Sequence, residues 1–174
     1  TTFLEMIATL VISFLKIRNS QNKSKREAQL SGYSALGQIY TSMHYINVKT
    51  HRFHIVKMEP QILKYLGIDE IKDVDDNFMD HICKIHRKFC QADYLDREIE
   101  FMDLETLDER LQGKKSVDSV FYGKLSGWCR ARFIPVDYDE DKSLLHVLYC
   151  VECIDDQKKR EDQLLYLAQT DTMT

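Results

Sequence analysis

Two arginines stand at alternate positions in a strand-like run and could bind an anion. Arg130 and Arg132 follow Trp128 at intervals of two residues. Successive strand side chains point to opposite faces, so all three residues share one face. A guanidinium can grip a carboxylate with two parallel hydrogen bonds, which would make this face the wall of a site for a carboxylate ligand. The alternative is cross-strand pairing, for which the sequence offers Asp118 and Glu152.

Histidine and cysteine on one predicted helix could supply half a metal site. His86 and Cys90 are four residues apart and share a helix face, a spacing that suits two metal ligands. His81 lies off that face, and the sequence offers no further pair. We therefore predict a partly buried helix surface and no metal site. There is also no Ser-His-Asp pattern, Gly-rich phosphate loop or convincing acid pair, so we predict no catalytic residues.

Composition and charge narrow the class of protein. The 174 residues are 44% hydrophobic and 30% charged, with six Gly and two Pro, which excludes collagen-like, low-complexity and multi-span membrane chains. The net charge of −4 argues against nucleic acid as a partner. Five cysteines without a disulfide-rich spacing predict reduced, mostly buried thiols. Cys150 and Cys153 lie within one strand-like run, with no second pair elsewhere.

The first residues predict a membrane contact. From Phe3 to Ile17 the apolar residues fall on every face of a helix, and a basic cluster follows directly. Basic residues just past a span mark its cytoplasmic side. We therefore expect residues 3–17 to be the inner half of a membrane-spanning helix, which predicts an inner-membrane protein whose next domain is cytoplasmic. The alternatives are a buried helix of another domain and a signal-peptide hydrophobic region.

The middle of the chain alternates between strand and helix patterns. Two β-branched and aromatic runs around a short polar segment predict a hairpin, and three further strand-like runs predict an antiparallel meander. Helical periodicity lies between them. These elements occupy the strand-like runs 39–48, 52–57, 116–125, 128–138 and 144–154 and the helical runs 60–66, 78–89 and 96–111. This order predicts an α+β fold, a five-stranded antiparallel sheet with helices on one face. Cys129, Ala131 and Phe133 should face those helices.

The order of elements resembles that of a PAS domain. The run Gly127 to Val136 resembles the family's penultimate strand, and Leu148 to Arg160 resembles its last strand and exit helix. The family often ends that strand in Asp-Ile-Thr. Here the matching residues are Cys153-Ile154-Asp155, so Asp155 or Asp156 would have to cap the exit helix.

The PAS resemblance bears on cofactors and ligands. Some PAS domains carry haem on a helical histidine, which makes His81 and His86 the residues to test. Flavin photoreceptors of the superfamily need cysteine in an Asn-Cys-Arg-Phe context, and neither Cys83 nor Cys90 has one. We therefore reject flavin and predict no haem and no other cofactor. A small-molecule ligand in the PAS pocket is left open.

The last residues resemble the start of a GGDEF domain, where a helix ending in Leu-Ala leads into Asp-x-Leu-Thr. Here Leu167-Ala168 precede Asp171, and Met173-Thr174 complete the motif with Met in place of Leu. The resemblance implies a bacterial diguanylate cyclase, which makes cyclic di-GMP from GTP, or a degenerate relative that only regulates or binds. The predicted organisation is a span end at 1–18, a juxtamembrane helix at 19–38, the PAS-like domain at 39–154, a linker helix at 155–170 and the GGDEF start at 171–174.

Three functions remain open at this point. The first is a PAS relay that controls a cyclase as a homodimer through its flanking helices, with Asp155, Leu164, Leu167, Ala168 and Asp171 in the signalling linker. The second is the PAS sensor of a histidine kinase or other two-component regulator. A kinase would need a His-Glu dimerisation helix after residue 160, which the sequence lacks. The third is a stand-alone module for ligand binding or interaction.

Overall fold

The structure, a computed structural model, describes residues 3–18, 38–68 and 77–172. Nearly all of the predicted juxtamembrane helix over 19–38 lies outside the described residues. Met173 and Thr174 of the GGDEF-like motif also lie outside them.

The described strands form one antiparallel sheet of five. They are β1 (Tyr40–Asn47), β2 (Phe53–Met58), β3 (Val117–Gly123), β4 (Gly127–Tyr138) and β5 (Leu144–Cys153), in the order β2-β1-β5-β4-β3. The hairpin β1–β2 thus joins the meander β3–β4–β5 through the pairing of β1 with β5. The predicted fold class, a PAS-like five-stranded sheet with helices, is confirmed.

The sequence explains where the hairpins turn. After β1, the side chain of Asn47 accepts hydrogen bonds from the backbone N–H groups of Lys49 and Thr50, and His51 adopts a left-handed conformation. Before β5, the carboxylate of Asp139 accepts from the N–H of Ser143 at 2.9 Å. Asn and Asp favour turns because their short side chains take up neighbouring N–H groups in this way. Both turns lie in the gaps between the predicted strand-like runs.

Six helices lie within the described ranges: α1 (Phe3–Arg18), α2 (Pro60–Leu66), α3 (Phe78–Phe89), α4 (Ala92–Phe101), α5 (Leu107–Leu111) and α6 (Asp155–Asp171). Helix α2 occupies the predicted run 60–66, with Pro60 at its start and Gly67, which has a φ of 72°, as its C-cap. The predicted helix over 96–111 is instead two helices. The carboxylate of Asp103 accepts the N–H of Glu105, which a continuous helix would donate to residue 101.

Helices α2 to α5 pack on one face of the sheet and bury the main core. Cys129, Ala131 and Phe133 of β4 are all at most 1% exposed in this core, which confirms the predicted inward face. From β5, Val147, Tyr149 and Val151 enter the same core.

Helix α1 lies on the opposite face of the sheet, which corrects the membrane prediction. Its residues Ile7, Ala8 and Val11 are 3–7% exposed, in a second apolar cluster with Ile134, Leu148 and others. At 16 residues the helix is about 24 Å long, short of the ~30 Å of a bilayer core. Among the described helices, none combines the length and apolar character that a membrane crossing requires. The predicted inner-membrane localisation is therefore wrong, because Ile7, Ala8 and Val11 of α1 pack on the sheet.

Truncating Phe133 should test the inward face of β4. This ring is fully buried and contacts Phe101 and Tyr149 at centroid distances of 5.3 and 5.0 Å. We expect Phe133→Ala to lower the free energy of unfolding by ~3–5 kcal/mol, measured by urea unfolding. Tyr138→Ala, on the same strand but 49% exposed, is the matched control. A loss below ~1 kcal/mol for Phe133→Ala would place the ring outside the core.

Candidate functional site

The two arginines of β4 already have carboxylate partners. Arg132 binds Asp118 with two hydrogen bonds of 2.7 and 2.8 Å, and Arg130 binds Glu152 at 2.7 Å. The side-chain hydrogen bond with Asp118 raises the pKa of Arg132 above its usual value. Trp128 instead packs its ring against Tyr94 and Tyr122, at centroid distances of 5.7 and 5.4 Å. The structure thus shows the cross-strand pairs that the sequence allowed, and a role of this face in anion binding stays a prediction.

The interior of the domain holds a histidine that sequence analysis did not single out. His44 on β1 is 1% exposed and lies 5.6–6.0 Å, centroid to centroid, from the rings of Phe53, Phe78, His81 and Tyr149. Neither of its ring nitrogens has a hydrogen-bond partner among the described residues. Burial, aided by repulsion from His81 and His86, lowers the pKa of His44 to about 3. The ring is therefore neutral in the folded domain at neutral pH.

His86, which the sequence analysis considered as a metal or haem ligand, is a core residue whose two ring nitrogens both have hydrogen-bond partners. Its Nδ1 lies 3.2 Å from the carbonyl oxygen of Ile82, and its Nε2 lies 3.4 Å from the hydroxyl of Tyr149. The carbonyl can only accept, so Nδ1 carries the proton and Nε2 accepts from the tyrosine. Burial lowers the pKa of His86 to about 4. Within the described ranges, no group of three or more potential ligands could hold a metal ion.

A small cavity lies between the sheet and helices α2 and α3. It has a volume of about 20 Å³ and is lined by His44, His86, Tyr149 and mostly apolar side chains. A buried site of this size holds about one water molecule. Haem and flavin are both far larger than this cavity. A larger ligand would need the packed rings to move.

A buried carboxyl group lies on helix α4 at the other side of the core. Glu98 is 0% exposed, and one of its oxygens accepts from the hydroxyl of Ser119. Its other oxygen has no hydrogen-bond partner among the described residues. Burial raises the pKa of Glu98, which favours the protonated form. The sequence around Glu98 does not indicate that its side chain is buried, since an acid in a polar helix normally faces water.

The side chain of Asp155 ties the base of the exit helix α6 to the sheet. The carboxylate of Asp155 accepts from the backbone N–H of Trp128 at 3.2 Å and pairs with Lys159 at 2.7 Å. Gly127 before it has a φ of 71°, and a Cβ there would collide with that carboxylate. The predicted helix cap is not formed, since Ile154 is the N-cap without a side-chain bond. Asp155 instead joins α6 to the β3–β4 turn.

The far half of α6 is apolar and uncovered. Leu164, Leu165, Tyr166 and Leu167 are 56–69% exposed, and no residue of the helix is buried. Ala168 and Asp171, the other predicted linker residues, are exposed as well. The five linker residues therefore lie on one continuous helix, with Asp155 at its fixed end and the others at its free end.

Comparisons with known proteins found solved structures of low similarity. No family model and no curated protein matches the chain. Among solved structures, it is similar to the N-terminal domain of a diguanylate cyclase with PAS/PAC sensor from Marinobacter aquaeolei, at 14% identity and a TM-score of 0.44 over 67% of this chain and 97% of that one. A sensory box histidine kinase/response regulator from Burkholderia thailandensis is similar at 16% identity and a TM-score of 0.46, over 82% and 98% of the chains.

Acid should destabilise the domain through His44. In the unfolded chain this histidine binds a proton below about pH 6.5, but in the folded chain only near pH 3, so stability falls as pH drops through that window. We expect His44→Phe, which keeps an aromatic ring, to flatten the slope of unfolding free energy by up to about 1.4 kcal/mol per pH unit. Urea unfolding across the upper part of the window measures it.

The control for this experiment is His54→Gln, which removes an exposed histidine from the next strand. Glu98, whose raised pKa acts in the opposite sense, is present in all three proteins and cancels in the comparison. Parallel pH profiles for the wild type and His44→Phe would contradict the assignment.

Proposed function

We propose that the chain is the sensing and relay segment of a signalling protein, in which the PAS-like domain acts on an output domain through helix α6. One observation carries this proposal: α6 is held to the sheet at Asp155, while its far half exposes a row of leucines. A helix with this division is suited to pass on a movement of the sheet, because its base follows β5 and its free end can pair.

The free end of α6 has the spacing of a helix-pairing seam. Leu164, Leu167 and Asp171 follow a three-four spacing, as do Leu165, Ala168 and Thr172. Apolar residues at this spacing pair with a second helix in coiled coils. We propose that the partner is a second copy of this chain, so that two α6 helices run side by side as a homodimer.

For the output domain we propose a GGDEF domain of the diguanylate cyclase type. The support is the sequence after Ala168, where Asp171 stands at the first position of the GGDEF-like motif. Such cyclases join two GTP-loaded catalytic domains to make cyclic di-GMP, so a helix pair that sets their separation and angle would control the product. The alternative is a histidine kinase or other two-component regulator, whose sensor would use the same exit helix.

Changing the phase of α6 tests the relay. One residue added within 157–163 should turn everything downstream by about 100°, whereas seven added residues nearly restore the phase. We expect cyclic di-GMP output of the full-length protein to change strongly with one residue and to return largely to normal with seven. Equal, wild-type output from both insertions would make α6 a simple tether. Absence of cyclic di-GMP from all forms would instead contradict the cyclase assignment.

A further inference from the structure

Two cysteines stand directly opposite each other at the base of α6. Cys129 on β4 pairs with Cys153 on β5 in the antiparallel register. Both side chains lie on the sheet face that is covered by helices α2–α5. Residues two apart in a strand share a face, and Ala131 and Val151, two residues from Cys129 and Cys153, belong to the main core. Cys153 is the last residue of β5 and directly precedes Ile154, the N-cap of α6.

The backbone hydrogen bonds next to Cys129 and Cys153 show which kind of antiparallel pair the two residues form. The N–H of Ile154 donates to the carbonyl of Trp128 at 2.8 Å, and these residues flank the two cysteines. In an antiparallel ladder this makes Cys129 and Cys153 a non-hydrogen-bonded pair, in which the Cα atoms lie about 4.5 Å apart and the side chains approach closely. Disulfides have Cα separations of about 4.4–6.8 Å, so the backbone already meets the requirement.

Both thiols point toward the β3–β4 turn. The sulfur of Cys129 donates to the carbonyl of Gly127 at 3.5 Å, and the sulfur of Cys153 donates to that of Ser126 at 3.1 Å. Rotation about the Cα–Cβ bonds would therefore bring the sulfurs together without moving a strand. We propose that Cys129 and Cys153 are a site of reversible oxidation, at which peroxide closes a cross-strand disulfide at the base of α6.

The two cysteines differ in access, which sets the order of steps. Cys153 is exposed, whereas Cys129 is 1% exposed and burial raises its pKa to about 12. The Cys153 thiolate attacks peroxide, the O–O bond breaks, and a sulfenic acid and one water form. The Cys129 sulfur then attacks the Cys153 sulfur, the S–O bond breaks, and a second water leaves. Two thiols are thus oxidised to one disulfide while one peroxide is reduced to two waters.

The location gives the bond a consequence for α6. It would join β4 to the residue that precedes the helix N-cap, next to the contact between Asp155 and Trp128. Oxidation would therefore add a covalent tie to the point where the helix leaves the sheet. This bond is independent of the proposed function, because the test measures the mass of joined peptides and not the activity of an output domain.

Peptide mapping of the whole chain tests the proposal. Reduced protein is treated with hydrogen peroxide, its remaining thiols are alkylated, and it is digested with trypsin without reductant. We expect peptide 125–130 joined to peptide 143–158, with fragment ions that assign the bond to Cys153 and not to Cys150. Dithiothreitol should separate the two peptides. Cys153→Ser should abolish the product, whereas Cys150→Ser, buried on the opposite face, should retain it.

Three results would overturn the proposal. Joining of peptide 125–130 to peptide 89–97 would show that Cys90, a buried neighbour of Cys129, is the partner instead. Joining of Cys153 to a second copy of the chain would show an intermolecular bond. Cys153 that accumulates as sulfinic acid while Cys129 is alkylated after unfolding would show that the pair does not close.

Discussion

Strand β5 is enclosed on both faces and both edges, and the rest of the fold is arranged around it. Its edges pair with β1 and β4, so its backbone N–H and C=O groups are taken up by the ladders. Tyr149 and its neighbour Leu148 point to opposite faces and are both 0% exposed. A strand buried in this way needs an apolar layer on each side, which helices α2–α5 supply on one face and helix α1 on the other.

This constraint links the interior to the exit helix. Tyr149 carries the hydrogen bond to His86 inside the core, and four residues later the strand ends at Cys153. Helix α6 follows after Ile154, and Asp155 fixes its start to Trp128 of β4. A displacement of β5 by a change inside the core would therefore move the base of α6. With a cavity of only about 20 Å³, such a change must involve the packed rings themselves.

Local sequence was sufficient for the five strands, for most of the helices and for one face of the sheet. Alternation placed Phe133 in the core, and Gly67 marked the end of α2, because strand and helix periodicities report burial directly. The sequence could not decide what covers the apolar residues of α1, since lipid and a sheet face select the same side chains. It also missed the break at Asp103, which depends on a competing side-chain hydrogen bond.

The interior site could not be found from sequence for a different reason. His44 and His54 are both histidines in strands of one hairpin, yet one is buried and the other exposed. Phe78 and Tyr149, which lie far away in the chain, pack around His44 and help to distinguish it from His54. The pairs of Arg130 and Arg132 were predictable as one of two alternatives, because cross-strand partners follow from register once the meander is recognised.

Amide hydrogen exchange on Asp155→Ala measures most directly whether Asp155 ties the exit helix to the sheet. We expect faster exchange at the N–H of Trp128 and in the first turn of α6, because the contact that closes this junction is lost. Asp156→Ala, which removes a carboxylate from the same turn, should leave both at the wild-type rate. Unchanged exchange in Asp155→Ala, or equal acceleration in the two variants, would contradict the account.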